Sequence, residues 1–508
     1  MSWDQGYVSE IDYTYGYYSE FNPLQIQLNL ISAGIKPPKI KTACELGFGQ
    51  GVSLLCNAAS SDIAWYGNDF NPNQVSFVNE AIQSTGLELN VTDESFEDFC
   101  ARTDLPNFDF IALHGIWSWI SDSNRKIISK FIAKKLNVGG VLYISYNSEP
   151  GRTAMRPFRE LMQWHASKFS TNSSMPDKIG TSINFMKSLL DVNPLYKVAH
   201  PSVETYFSDV SSMDKNYLAH EFFNADWEPM SVKRLSNFLS PCKLQFATTA
   251  FPIDLIPSIN FTKNQLSLIQ SIADPILREF VKDMCLNQGF RRDLWIKGGR
   301  RLSAGEKLQE IKSIAVTLVI PAKEITFELD TVIGKTTLNK EIYTAVLGCL
   351  NAKASIKLAD IASELDNKFT FEQLLEVCIV LAGKKALKLS HEDIDAKKFY
   401  ENTRKLNDFF MSCSEFEQKV NYLVSPVSST AIPVSRFEQL FIRAHANKTT
   451  DPMTMATFAW TKLKSQNEKI IVDGEVLESD EANLSHLESL ATKFVEFLLP
   501  ELVRLKIV

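Results

Sequence analysis

The stretch Thr42-Ala43-Cys44-Glu45-Leu46-Gly47-Phe48-Gly49-Gln50-Gly51 constrains this chain more than any other segment. It predicts a short buried strand, a glycine turn and a helix that starts near Val52. Glycine tolerates positive φ and leaves bare backbone against which a ligand can press. The spacing is G-x-G-x-G, with Glu45 two residues before the first glycine. It is not the G-x-G-x-x-G that brings backbone up to a dinucleotide pyrophosphate. A carboxylate at the turn suits a ligand that carries an ammonium group and no phosphate. Glu45, Gly47, Gly49 and Gly51 are therefore candidate ligand residues.

The next segment, Ala64-Trp65-Tyr66-Gly67-Asn68, reads as a second strand ending in Asp69-Phe70-Asn71-Pro72. An acid at the end of the second strand, about 20 residues past the turn, is where doubly wound folds grip a ribose diol. Asp69 takes that role, with Asn71 beside it, and Pro72 suits the first turn of a helix. The alternative reading gives Glu45 and Asp69 to capping of the helices that follow. S-adenosylmethionine (SAM) has an amino-acid head, a ribose diol and no phosphate, and fits the pair. Glu94-Ser95-Phe96 follows the third strand, where an adenine would lie. Phe96 reads equally well as core.

The 508 residues allow two to four domains and a large core. A net charge of −7 argues against a general nucleic-acid binder and against an anionic membrane surface. The eight cysteines form no C-x-x-C pair and read as buried thiols, with no metal cluster. No signal peptide is evident at the N-terminus, and no apolar run approaches the roughly 20 residues that span a bilayer. A cytoplasmic protein without membrane insertion is the expectation.

Alternating strands (41–46, 63–68, 87–92, 108–114, 139–146) and helices (52–60, 72–84, 95–101, 122–136) fill residues 41–147. This is the signature of a parallel sheet covered on both faces. Gly139-Gly140 marks the entry to the fifth strand. Residues 151–225 read as a helical insertion, with a flexible stretch at 170–174 and a face suited to a homodimer contact. Segments 243–248 and 291–296 alternate like strands and are expected to complete the sheet, with 251–289 as a helical excursion. The domain boundaries expected are 1–150, 151–225, 226–309 and 310–508. In the last unit, helices at 338–350, 357–365 and 370–382 and a strand at 386–390 follow winged-helix order. Balanced charge there favours protein contact over DNA. Asp473-Gly474 predicts a hairpin, and the helix 485–499 should stop near Pro500.

Glu-Leu-Gly-Phe-Gly-Gln-Gly followed by Gly-Asn-Asp-Phe-Asn-Pro resembles the first two motifs of class I SAM-dependent methyltransferases. Three further segments point to a narrower group: Tyr13-Thr14-Tyr15-Gly16-Tyr17-Tyr18-Ser19-Glu20-Phe21-Asn22-Pro23, His220-Glu221-Phe222-Phe223-Asn224 and Phe290-Arg291-Arg292-Asp293-Leu294-Trp295. Together they resemble bacterial methyltransferases with a methyltransferase regulatory domain, among them the rickettsial outer-membrane-protein lysine methyltransferases. The resemblance implies an α/β fold: a doubly wound, seven-stranded methyltransferase sheet with helical insertions and a C-terminal α+β, winged-helix-like domain. It implies SAM as methyl donor and a protein substrate, lysine first. A small-molecule or polysaccharide methyltransferase and a non-enzymatic SAM-binding scaffold stand as alternatives.

Methyl transfer needs nucleophile, carbon and sulfur held in line. His114-Gly115-Ile116-Trp117-Ser118-Trp119 follows the fourth strand, where doubly wound folds place ligand groups. It departs from the N/D-P-P-Y pattern of enzymes that methylate nucleic-acid amines. His114 is a candidate for orienting SAM or accepting a proton. Trp117 and Trp119 are candidate walls of the acceptor slot, and Tyr146 and Asn147 face the same crevice. Tyr13, Tyr15, Tyr17 and Tyr18 could enclose a cationic centre in aromatic faces, with Tyr13 and Tyr18 as catalytic candidates. For His114, the two tryptophans and the tyrosines, plain packing is the competing reading.

Overall fold

The structure is a computed structural model. It describes residues 13–508 apart from 170–174, 212–217, 219, 223, 352, 418 and 447–448. The stretch 170–174, read from sequence as flexible, and Phe223 of the second family-like segment lie outside the described residues.

A seven-stranded sheet organises the N-terminal 300 residues. Its strands are β1 (Thr42–Leu46), β2 (Ala64–Asn68), β3 (Leu89–Thr92), β4 (Phe108–Leu113), β5 (Leu136–Asn147), β6 (Leu244–Thr249) and β7 (Phe290–Lys297). Their order is β3-β2-β1-β4-β5-β7-β6. The first five strands are parallel, and β7 runs antiparallel to both β5 and β6. The two segments expected to complete the sheet do so. Chain direction across the sheet reverses at β1, between β2 and β4, and a doubly wound sheet opens its ligand crevice at such a point.

Side chains alternate along a strand, and the two faces fill different cores. Ala43, Phe110, Ala112, Val141, Tyr143, Leu294 and Ile296 face one core, with helices α2 (Val52–Ala59) and α3 (Pro72–Thr85). Cys44, Leu46, Ile111, Leu113, Leu142, Ile144 and Trp295 face the other. That core is shared with helix α5 (Asp122–Lys135) and the helix Val232–Leu239. Both faces are covered, so these strands read as continuous apolar runs. Helix α1 (Ile26–Ser32) precedes the sheet and α4 (Phe96–Ala101) follows β3.

Residues 156–211 are mainly helical where described, and their apolar side chains form a small core of their own around Met162, Ile179 and Phe207. The last 200 residues hold two cores rather than one. Residues 315–389 pack around a three-stranded antiparallel sheet with Ala315–Leu318 at its centre. Leu28 and Ile31 of α1 join that core. From the helix Asp393–Ser414 onward, Leu406, Phe409 and Phe410 belong to the core under α2 and α3, and Phe77 meets Phe409 at a centroid distance of 5.7 Å. Helical periodicity in the sequence marks that helix as amphipathic but does not say what covers its apolar stripe.

Two local expectations change and a third holds. Strand β5 begins at Leu136, so Gly139-Gly140 lies inside it, where a register shift between Phe108 and Phe110 bends the pairing. Pro500 does not end the last helix. A π-turn at Phe494–Leu498 widens the helix, and Pro500 sits in the first turn of the next segment, Leu499–Arg504, where its missing N–H costs little. The Asp473-Gly474 hairpin forms, with φ of 51° and 87°, as a type I′ loop requires. Among the described residues no helix is long and apolar enough to cross a membrane.

Candidate active site

The glycine turn leaves β1 in the middle of the sheet and enters α2. Gly47, Gly49 and Gly51 have φ of 72°, 60° and 70°, a left-handed region that costs other L-residues about 1–2 kcal/mol. The turn is braced by Asp69, whose Oδ2 accepts from Gly49 N–H at 2.8 Å. Its Oδ1 accepts from Asn71 N–H at 3.1 Å. With the Gln74 amide turned to suit its neighbours, that amide donates to both Asp69 oxygens at 2.8 and 3.0 Å. A Cβ on Gly51 would stand 2.3 Å from Val78 Cγ2. Gly51→Ala is expected to destabilise the chain by about 2–5 kcal/mol, the sum of left-handed strain and overpacking. A chemical denaturation midpoint measures it.

A cavity of about 800 Å³ opens over this turn. Glu45, Gly47, Gly49, Asp69, Phe96 and His114 line it, as do Tyr13 and Tyr18. Glu45 is 3 % exposed, and its Oε2 has no hydrogen-bond partner. Burial pushes its carboxyl well above the usual range, and the neighbouring Asp69 adds to the rise. Burial likewise lifts Asp69 to about 7, against the pull of its two backbone donors. Neither acid caps a helix: α2 begins at Gly51 with no side-chain cap, and Asn71 caps α3. Two buried carboxylates, one unpartnered, favour a cationic ligand group.

Asn68 places the adjoining wall. Its side chain bonds Thr92 Oγ1 at 2.8 Å, Glu94 O at 2.9 Å and Glu94 N at 3.2 Å, which fixes the loop that presents Phe96. At the end of β4, the His114 ring stacks on Tyr18 at 3.8 Å. Its Nδ1 lies 2.8 Å from Tyr143 Oη. Burial holds His114 down to about 4, with Glu20 opposing and Arg292 assisting, so the imidazole is neutral at pH 7. The N-terminal segment is tied down over the turn. Tyr18 N donates to Ser53 Oγ at 2.9 Å, and Gln50 Nε2 donates to Tyr13 O at 3.3 Å.

Several sequence candidates sit elsewhere. Asn71 is buried and spends its side chain on the α3 cap. Ser95 caps α4 through Asp98 N and is not among the residues that line the cavity. Gly51 is packed against Val78 and Phe48 rather than open to a ligand. Trp117 is fully buried, its ring edge-on to Phe238 and its Nε1 donating to Met230 Sδ at 3.1 Å. A short 3₁₀ turn swings it into the core, while Trp119 two residues on lines the cavity. Tyr146 is core and donates to Asp293 at 2.9 Å, while Asn147 lines the cavity. The four tyrosines do not act together. Tyr13, Tyr17 and Tyr18 line the cavity, whereas Tyr15 packs edge-on against Phe77.

Sequence reasoning passed over Glu20, Arg292 and Lys388, which line the part of the cavity around Ser19 and Glu20, its acceptor limb. Glu20 Oε1 accepts from Arg292 Nε at 3.0 Å. Both lie in the family-like segments quoted above, where a charge among aromatics was the available signal. Lys388 had none.

The strand order and the braced glycine turn define a class I methyltransferase fold. The model of a family described as a predicted methyltransferase regulatory domain matches residues 214–297. In the structure this region supplies β6 and β7 and, with them, Phe290 and Arg292 of the cavity wall. An uncharacterized protein of Synechocystis is 32% identical over 515 residues, covering 100% of both chains. An uncharacterized protein of Rickettsia prowazekii is 25% identical over 339 residues, 63% of this chain and 58% of that one. PKMT2 from Rickettsia typhi, solved in complex with AdoHcy, superposes with a TM-score of 0.70 at 18% identity, over 96% of this chain and 99% of that one. The chain belongs to the family of the Synechocystis protein, and its residues 214–297 carry the match to the methyltransferase regulatory domain.

Proposed function

We propose that the chain methylates lysine side chains of a protein substrate and that the cavity over the glycine turn holds SAM. The observation that carries this reading is the buried, unpartnered Glu45 oxygen beside a bare glycine backbone. Glu45 takes the ammonium of the amino-acid head. Gly47 and Gly49 let backbone approach it. Asp69 keeps accepting capacity for the ribose hydroxyls beyond its bonds to the turn. Phe96 lies on the adenine side. When bound, SAM supplies a methyl group on a sulfonium. The likeness to PKMT2 supports a protein acceptor.

The acceptor limb suits an amine. Tyr18, Phe290 and the neutral His114 present aromatic faces, and Glu20 presents a carboxylate. The Arg292 and Lys388 cations hold Glu20 below the usual range against its own burial, so it is ionised and draws in an ammonium. The aromatic walls exclude water and orient the nitrogen once its proton has left.

Incubation of the purified chain with methyl-labelled SAM and lysate fractions, followed by acid hydrolysis, tests the reading. Label is expected in methyllysine, at a rate that rises with pH. Label in a small molecule or sugar, or no S-adenosylhomocysteine above the blank, contradicts it.

A further inference from the structure

The limb of the cavity around Ser19 and Glu20 contains an amine of this chain. Lys388, on the short strand Leu387–Leu389, lines the limb together with Ser19, Glu20, Phe290, Arg292 and Lys385. Its Nζ donates to Ser19 Oγ at 2.7 Å. Ser19 lies between Tyr18, whose ring stacks on His114, and Glu20, which pairs with Arg292. Lys388 therefore reaches, through one hydroxyl, the segment that covers the end of β4. The limb is built for an amine, with a carboxylate and aromatic walls, and of the two C-terminal lysines that line it Lys388 is the one bonded to the Ser19 hydroxyl.

We infer that Lys388 is a modification site, methylated by the enzyme of which it is part. The inference rests on the methyl-transfer function proposed above. In the step, the Lys388 ammonium first gives a proton to solvent. The Nζ lone pair then forms a bond to the methyl carbon of SAM as the carbon–sulfur bond breaks. The electron pair stays on sulfur, leaving neutral S-adenosylhomocysteine, and the methylated nitrogen carries the positive charge. Glu20, Arg292, Lys385 and His114 are the titratable and charged groups facing the limb. Burial lowers the Lys388 ammonium to about 8, with Glu20 opposing and Lys385 assisting. About a tenth of Lys388 is then the free amine at pH 7, against well under a thousandth of an ordinary lysine.

The test takes the full-length chain with trideuteromethyl-SAM, at pH values below and above the shifted Lys388 value, and maps the digest by mass. A heavy methyl on Lys388 is expected, or a light one already present from the expression host. At limiting SAM it should form far more slowly in Glu45→Gln, and its rate should be independent of protein concentration. Trace acetylation of the cofactor-free chain gives a second readout: Lys388 should titrate near 8 and be shielded by S-adenosylhomocysteine. Lys388→Arg, which keeps the cation but cannot deprotonate, should bind cofactor normally. Unmethylated Lys388 in a chain that binds SAM and labels lysate protein overturns this inference alone. Lys388 that titrates as an ordinary lysine also overturns it. A chain that binds no SAM overturns the proposed function with it.

Discussion

Glu45→Gln weakens SAM binding by about a hundredfold while the chain stays folded. The Glu45 carboxylate is buried and its Oε2 lacks a partner. In the complex it would meet an ammonium in a site with little water. Breaking one buried, charge-assisted contact costs about 3 kcal/mol, or about two decades in Kd. The isosteric amide preserves volume, so the core around it is undisturbed. The ligand-free variant should be no less stable than the parent, because an orphaned acid near a second acid is itself a liability. Calorimetric titration and thermal unfolding, with and without SAM, read both effects. Equal affinity in the variant removes Glu45 from the ammonium site. A lower melting temperature without ligand makes its role structural.

SAM affinity rises with pH up to about 7, while the ligand-free chain loses stability over the same range. Burial holds Asp69 at about 7 in the folded chain, against an ordinary value of 3.8. A raised folded-state value means that the folded chain binds the proton more tightly than the unfolded one. Its contribution to stability is complete below the ordinary value and is lost as pH climbs through about 7. Ligand binding runs the other way. A cationic head needs the buried acids ionised, so at lower pH each retained proton costs up to about tenfold in affinity per pH unit. Above about pH 8 the ligand's own α-amino group loses its charge, and affinity levels or falls. Titrations across this range should give a Kd minimum between about 7 and 8. A pH-independent Kd would mean that the carboxylates are already ionised without ligand.

The sheet was legible in the sequence because its strands are short, apolar on both faces and punctuated by glycine, proline or acid at their ends. Strand β3, half-exposed in Leu89–Thr92, was legible mainly from its neighbours. Of the candidate site, the glycine turn and its two acids could be read because their chemistry is local. Trp117 and Trp119 could not be separated. They are two residues apart, and the 3₁₀ turn that sends one into the core and the other to the cavity is set by tertiary packing on Phe238 and Met230. Asn71 and Ser95 were ambiguous for a related reason. A polar side chain at a strand end serves a helix cap as readily as a ligand, and both were taken by caps. Glu20, Arg292 and Lys388 come from segments far apart in the chain, and only the closed fold brings them into one limb. The division of the last 200 residues into two cores was equally hidden, because an apolar stripe such as Leu406-Phe409-Phe410 does not name its partner.

The central claim is that the cavity over the braced glycine turn is a SAM site whose buried acids ionise to receive the cationic head. Calorimetric titration of SAM into the ligand-free chain, in two buffers of different ionisation enthalpy near pH 6.5, tests it most directly. Saturable binding at one site per chain, with net proton release, is the predicted result. No saturable binding by a folded chain, or binding without proton release, would contradict it.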